Sequence, residues 1–211
     1  MKKILIVLLV FTGLNLMAQN DPAAVKLLNK VSAKLSSYQN IYAEFKYALI
    51  NKKAGVSQET KGNVTTQGNK FNANYMGIDD IYDGTKRYQV IHENEEVNVS
   101  NHSDDDEFTP NKIFTFYKKG YTQKMDIKQR IKGRNIQYVK LIPKDTNSPD
   151  QYILLGIDLK NLHIFNAIII EKNGSKITLD ITKFQTNQVL PDKLFKFDAS
   201  KYPDYYMNNL D

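Results

Sequence analysis

The 211-residue chain contains no cysteine. Disulfides and thiolate-ligated zinc are therefore excluded, and so is a bacterial lipid anchor, which is attached to a cysteine just after an export signal. Tryptophan is absent too, so large apolar surfaces must be built from the 13 tyrosines and 10 phenylalanines. Catalytic signatures are missing: there is no G-x-S-x-G elbow, no P-loop, no G-x-G-x-x-G and no H-E-x-x-H. His92, His102 and His163 lie far apart, without metal-ligand spacing. The run Asp104-Asp105-Asp106-Glu107 offers carboxylate oxygens but lacks the spaced ligands and central glycine of a calcium loop. It reads as a solvated bend, and Lys52-Lys53, Lys118-Lys119 and Lys86-Arg87 read as solvated faces. No catalytic residue, metal or cofactor is expected, and the protein is read as a binding protein rather than an enzyme. A metal protein or enzyme built around Asp104 to Glu107 is the competing class, and loss of activity on chelation would favour it.

Long apolar runs are scarce as well. The one at the start, Ile4 to Ala18 behind Met1-Lys2-Lys3, falls short of the roughly 20 residues that span a bilayer. Two lysines, a short apolar stretch and a small residue are the three parts of a signal peptide. Cleavage after Ala18 is expected, leaving residues 19–211 as one domain, free in the periplasm of a Gram-negative cell. That portion keeps 27 basic and 23 acidic residues, a difference of +4. So mild an excess suits weak attraction to anionic membrane surfaces or acidic partners rather than nucleic acid.

What is present is mostly strand. Asp21-Pro22 offers an N-cap and a first-turn proline, and Ala24, Leu28, Val31, Leu35 and Tyr38 then recur at helical spacing for about four turns. The period changes to two at Ile41, Ala43, Phe45, Tyr47 and Leu49, a half-buried antiparallel strand. Further strands are read at 57–66, 70–76, 86–92 and 96–100, with turns at Gly68-Asn69 and Asp83-Gly84. Thr109-Pro110 starts a short helix through Ile113, Phe114 and Tyr117 that ends near Gly120. Strands follow at 124–131, 135–143, 152–158, 163–171, 176–184 and 194–198, with Asn173-Gly174 as the clearest hairpin turn.

One substantial helix cannot cover a flat sheet of this length. The expected fold is mainly β with helices (α+β): an open, strongly curved antiparallel sheet, an unclosed barrel, covered by the N-terminal helix and a short lid helix. Such a sheet has a concave apolar face. It either keeps a cavity for a guest or fills the space with its own side chains, and the pattern fits both.

The order of motifs resembles the LolA family, the periplasmic carriers that move lipoproteins from the inner to the outer membrane. Ala43-Glu44-Phe45 is similar to its aromatic strand motif, and Gly62 and Lys70-Phe71 follow in order. Asp83-Gly84 with Tyr88 resembles D-G-x-x-(L)-W, and Thr109-Pro110-Asn111-Lys112-Ile113 its lid helix. Leu141-Ile142-Pro143-Lys144 is similar to its L-x-P strand end, and Phe195-Lys196-Phe197 to its C-terminal F-x-F. The resemblance implies acyl chains of a lipoprotein held in the cavity after delivery by an inner-membrane ABC transporter, with a possible outer-membrane acceptor and a monomeric carrier. It implies cavity contacts at Leu35, Phe45 and Phe71 and lid contacts at Phe114 and Phe116. Leu28 and Val31 on the same helix stripe, Tyr47 on the same strand face and Tyr88 complete the expected acyl-chain-binding set.

Two departures mark a divergent branch. The turn that in many family members carries an Arg before a Pro, thought to latch the lid, reads Thr66-Gln67-Gly68-Asn69 here, and Tyr88 replaces a tryptophan. A more weakly closed lid is expected. A regulatory binding module of similar fold that senses a lipid or lipoprotein is the alternative function.

Overall fold

The computed structural model describes residues 19–101 and 109–210. The expected signal peptide, His102 and the acidic run Asp104 to Glu107 lie outside the described residues.

Helix α1 (Pro22–Ser36) forms where the sequence reading put it. Asp21 is extended, and its side chain accepts a hydrogen bond from the Ala23 N–H at 2.7 Å, with Pro22 at the start of the first turn. Donated backbone N–H bonds, from Ala23 first and then Met125, hold the Asp21 carboxyl below its usual range. Ala24, Leu28, Val31 and Leu35 are the buried stripe. After the last turn the Ser37 N–H bonds back to the Ala33 carbonyl at 3.1 Å.

The strands are β1 (Ile41–Asn51), β2 (Val56–Gln67), β3 (Lys70–Tyr75), β4 (Ile78–Tyr82), β5 (Arg87–Ile91), β6 (Glu96–Ser100), β7 (Tyr121–Ile131), β8 (Arg134–Pro143), β9 (Asp150–Asp158), β10 (His163–Glu171), β11 (Lys176–Thr186) and β12 (Tyr206–Asn209). They form one open sheet in the order β12-β6-β5-β4-β3-β2-β1-β11-β10-β9-β8-β7. Two antiparallel meanders meet where β11 pairs with β1. Only β12, which is parallel to β6, makes the sheet mixed. The open, curved sheet expected from the sequence is thus present, with twelve strands.

Register divides the sheet into two faces, because directly paired residues share a side and successive ones alternate. On the inner face, α1 rests on β7 and β10, and its stripe joins Val64, Phe71, Val139, Leu155 and Ile157 in the main core. Each such side chain, fully buried, contributes about 1.5–3 kcal/mol. The start of α1 is fastened to the sheet edge: the Gln123 carbonyl accepts from Asp21 N–H at 2.8 Å, and the Asp21 carboxylate accepts from Met125 N–H at 3.2 Å. On the outer face, β1 is polar, with Glu44 paired to Lys183 and Lys46 to Glu59.

The elements differ from the sequence expectation at three places. The lid is not an α-helix but two short 3-10 turns, Pro110–Phe114 and Phe116–Lys118. Thr109 caps no backbone N–H, its hydroxyl donating to Asn111 Oδ1 instead, and Thr115 at φ −137° interrupts the turn. Strand β4 leaves no periodic signal in the sequence, because its alternation is broken by Asp79-Asp80 and Asp80 occupies a fully buried position. Residues 194–198 form no strand. They cross the outer face as a strap, the Leu194 carbonyl accepting from Asn72 Nδ2 at 2.7 Å and the Phe197 ring stacked between Tyr88 and Tyr202 at 4.6 and 5.6 Å.

Candidate functional site

The inner face has a closed zone and an open one. In the closed zone Leu28, Val31 and Leu35 of α1, Phe71 of β3 and Phe114 of the lid are all buried. Phe114 meets the Phe184 ring edge-on at 6.0 Å. The Tyr117 and Ser32 hydroxyls share a hydrogen bond of 3.1 Å, and Gln123 Nε2 donates to the Tyr117 carbonyl at 3.0 Å. Phe116 is half-buried, with its ring edge against Tyr117 and Tyr121. These contacts fasten the lid to α1 and the sheet.

Where the end of α1 meets the lid, an open cavity of about 220 Å³ is lined by Leu35, Tyr38, Ile41 and Phe114 together with polar groups, among them Ser32, Asn40, Thr66, Asn111 and Lys118. A cavity of roughly 150 Å³ suffices to bind one benzene. This one has room for part of an acyl chain, not for several. With the lid down, the protein's own side chains occupy the rest of the closed zone.

The open zone lies across β1, β11 and β10. Phe45 pairs with Ile181, Tyr47 with Leu179, Leu49 with Ile177, and Ile177 in turn with Ile169. All seven are half-buried, and Ile169, Leu179 and Ile181 pack against the core of the closed zone. The result is a continuous apolar trough running out from beneath the lid. Gly62, opposite Phe45 on β2, is small for a reason: a Cβ there would come within 2.5 Å of Phe45 Cζ and 2.6 Å of the Asn74 carbonyl. The missing side chain lets the Phe45 ring lie against the sheet.

One polar island interrupts the inner face. Asp80 accepts from Arg87 Nε at 2.9 Å and Nη2 at 2.7 Å, and from the Tyr75 hydroxyl at 2.8 Å. Asp80 is fully buried and Arg87 nearly so. Burial, and then the neighbouring carboxylate, push the Tyr75 hydroxyl well above the usual tyrosine range, so it stays a donor. The expectation that Lys86-Arg87 forms a solvated face is therefore wrong for Arg87, whose guanidinium also lies 6.0 Å from the Phe71 ring.

Of the nine residues expected at the site, the structure puts Leu28, Val31, Leu35, Phe71 and Phe114 in the closed zone, Phe116 at its rim and Phe45 and Tyr47 in the trough. Tyr88 does not join them. It faces outward and stacks on Phe197 beside a groove of about 700 Å³ lined mainly by polar groups, among them Gln67, Lys70, Asp83, Gln188 and Asp192. Although larger than the inner cavity, this groove is the more polar of the two. Sequence reading missed Ile169, Ile177, Leu179 and Ile181, which only the Asn173-Gly174 hairpin and its pairing to β1 bring beside Phe45 and Tyr47.

His163 stands behind the inner cavity, sharing a 2.7 Å hydrogen bond between its Nε2 and the Tyr38 hydroxyl. Burial, followed by the nearby Lys34 charge, lowers its pKa below the ordinary histidine value. The unfolded chain therefore binds the proton more readily than the folded one, and stability is full above about pH 6.5 and falls as pH drops below it. Lowering the pH from about 7.5 to about 5.5 is expected to lower the thermal midpoint of the wild type more than that of His163→Phe. Equal shifts in both proteins would show that this imidazole carries no pH dependence.

Among the described residues, no cluster of three or more histidine and carboxylate side chains could hold a metal ion. No helix among them is long and apolar enough to cross a membrane. Over residues 36–198 the sequence matches the family model described as outer membrane lipoprotein carrier protein LolA. The chain belongs to the LolA family. The match covers the end of α1, the whole trough, the lid and both Phe195 and Phe197. No curated protein matches the sequence. Among solved structures, the chain is similar to an uncharacterized conserved protein from Thermus thermophilus, at 10% identity and a TM-score of 0.61 over 89% of this chain and 99% of that one. It is also similar to LprF from Mycobacterium bovis, at 11% identity and a TM-score of 0.51 over 83% and 99%. A LolA superfamily protein from Nitrosomonas europaea aligns at 14% identity and a TM-score of 0.45 over 83% and 98%. At such identities the likeness is one of fold.

Proposed function

We propose that this LolA-family protein is a periplasmic chaperone that binds the acyl chains of lipoproteins and carries them from the inner to the outer membrane. On this reading residues 1–18 are the export signal and 19–211 the single carrier domain. An inner-membrane ABC transporter supplies the cargo, and an outer-membrane acceptor can receive it. The observation that carries the proposal is the apolar trough of Phe45, Tyr47, Leu49 and Leu179, partly open to solvent yet continuous with the core beneath the lid. A structural core alone would not leave this strip partly uncovered.

The physical need fits. Each buried methylene is worth about 0.8 kcal/mol, so a multiply acylated protein does not leave a membrane for water unaided. A carrier must cover those chains and also release them. A lid of two 3-10 turns suits release: it is fastened by a few side-chain bonds and two aromatic contacts, so it can lift without unravelling a helix. The guest then takes the place of Phe114 and Ile113 against the inner face.

Protein purified from its native periplasm is expected to carry acylated polypeptide or lipid, and the empty form is expected to extract lipoprotein from inner-membrane vesicles. A protein that is always empty and extracts nothing would overturn the proposal.

A further inference from the structure

Beyond residue 18 the chain has an excess of four positive charges, 27 basic residues against 23 acidic. Between Lys124 and Arg134 stand five basic residues and one acid, Asp126, the same excess of four. The remaining 22 basic and 22 acidic residues are equal in number.

That hairpin is the edge of the sheet, formed by β7 and β8 and closed by a two-residue turn in which Lys132 and Gly133 have φ of 49° and 78°. Positive φ at both positions is the geometry that matches strand twist and gives a rigid tip. Asn20 and Asp21 satisfy the strand edge at Gln123 and Met125. Past the bulge between Met125 and Lys128 the side chains point into solvent. Lys128, Arg130 and Lys132 are exposed, and among the described residues none of the three forms a salt bridge. Arg134 lies 3.8 Å from Asp158 and is itself mostly exposed. Ile127, in the bulge, is a large apolar side chain left 52% exposed among these cations.

The tip also has a place relative to the acyl-chain site. Ile136 pairs with Asp158, Asp158 with His163, and His163 is bonded to Tyr38, which lines the inner cavity. The basic tip and the cavity thus lie at one end of the sheet. Exposed cations around an apolar residue are what an anionic bilayer surface attracts: the charges meet headgroups and the apolar side chain enters the boundary with the acyl chains.

We infer that the β7–β8 hairpin docks the protein on an anionic phospholipid surface. Lysines on an edge strand also keep other strands from pairing with it. That role does not call for the exposed Ile127 beside the cations. The docking does not depend on carried lipoprotein, so it is measured on empty protein.

The test uses residues 19–211, which hold every described element, and sedimentation with vesicles of phosphatidylglycerol and phosphatidylcholine in equal parts. Wild-type protein is expected to bind them, to ignore pure phosphatidylcholine, and to dissociate as salt is raised. Lys128→Glu/Arg130→Glu/Lys132→Glu is expected to weaken binding by at least about tenfold, and Ile127→Ser by a smaller factor. The same charge change at the opposite end of the sheet, Lys52→Glu/Lys53→Glu/Lys176→Glu, is expected to have much less effect. Failure of the wild type to bind, equal losses in both triple variants, or a hairpin that binds only an acidic protein and no vesicle would each overturn the inference. Loss of vesicle binding with lipoprotein extraction intact would leave the acyl-chain site standing by itself.

Discussion

Arg87→Met is expected to destabilise the fold by about 3–5 kcal/mol, out of a total that for a domain of this size is about 5–15 kcal/mol. The side chains are similar in length, so the loss comes from charge. Asp80 has no exposed surface. Without the guanidinium its carboxylate is left on the inner face of the sheet with the Tyr75 hydroxyl and, at 3.5 Å, Gln89 Nε2. Two neutral donors cannot offset the desolvation of a carboxylate. Asp80→Leu alone is expected to destabilise the fold as well, by removing the carboxylate that accepts from Arg87 Nε and Nη2.

The companion expectation is recovery. Asp80→Leu/Arg87→Met removes both charges, and adding Tyr75→Phe removes the hydroxyl that would lose its acceptor. This triple variant is expected to lie within about 1–2 kcal/mol of wild type, because a buried ion pair is often matched by apolar residues of similar volume. Urea midpoints for the singles, the double and the triple decide the matter. An Arg87→Met variant within about 1 kcal/mol of wild type would mean that the guanidinium is not what offsets the burial of Asp80.

That bridge also shows where sequence reading stops. Lys86-Arg87 looks like a surface pair because two adjacent cations in a polar turn usually are. In a strand, however, neighbours face opposite ways, and only the pairing of Arg87 with Tyr82 and of Tyr82 with Phe71 shows which of them points inward. The same parity explains Tyr88. One residue further on, it must face out, and there it stacks on Phe197 rather than meeting an acyl chain. Period alone revealed α1 and β1, since Leu28, Val31 and Leu35, or Ile41, Ala43 and Phe45, sit on one element each. The other wall of the trough comes from β10 and β11, more than a hundred residues away from Phe45. Nothing local in Ile177, Leu179 and Ile181 says that their face is the one left uncovered.

The distinction between the closed and open zones determines which substitutions can separate uptake from folding. Leu179→Glu and Tyr47→Glu are each expected to abolish extraction of lipoprotein from membranes while leaving the far-ultraviolet circular dichroism of the sheet unchanged. Both side chains are half-buried, so a new carboxylate there can reach water, and the fold does not have to hold an unpaired charge. An acyl chain laid along the trough would have to cover that carboxylate, and burying an unpaired charge in hydrocarbon costs several kcal/mol. Leu35→Glu and Phe71→Glu would probe something else. At 6% and 2% exposure those positions lie inside the packed zone, so a carboxylate there is expected to unfold the domain and thereby lose uptake for a trivial reason. Leu179→Met, of similar volume, controls for shape and is expected to keep extraction near the wild-type level. If Leu179→Glu and Tyr47→Glu fold and still extract lipoprotein as wild type does, the acyl chains do not lie along β1 and β11. The guest would then have to fit wholly between α1 and the lifted lid.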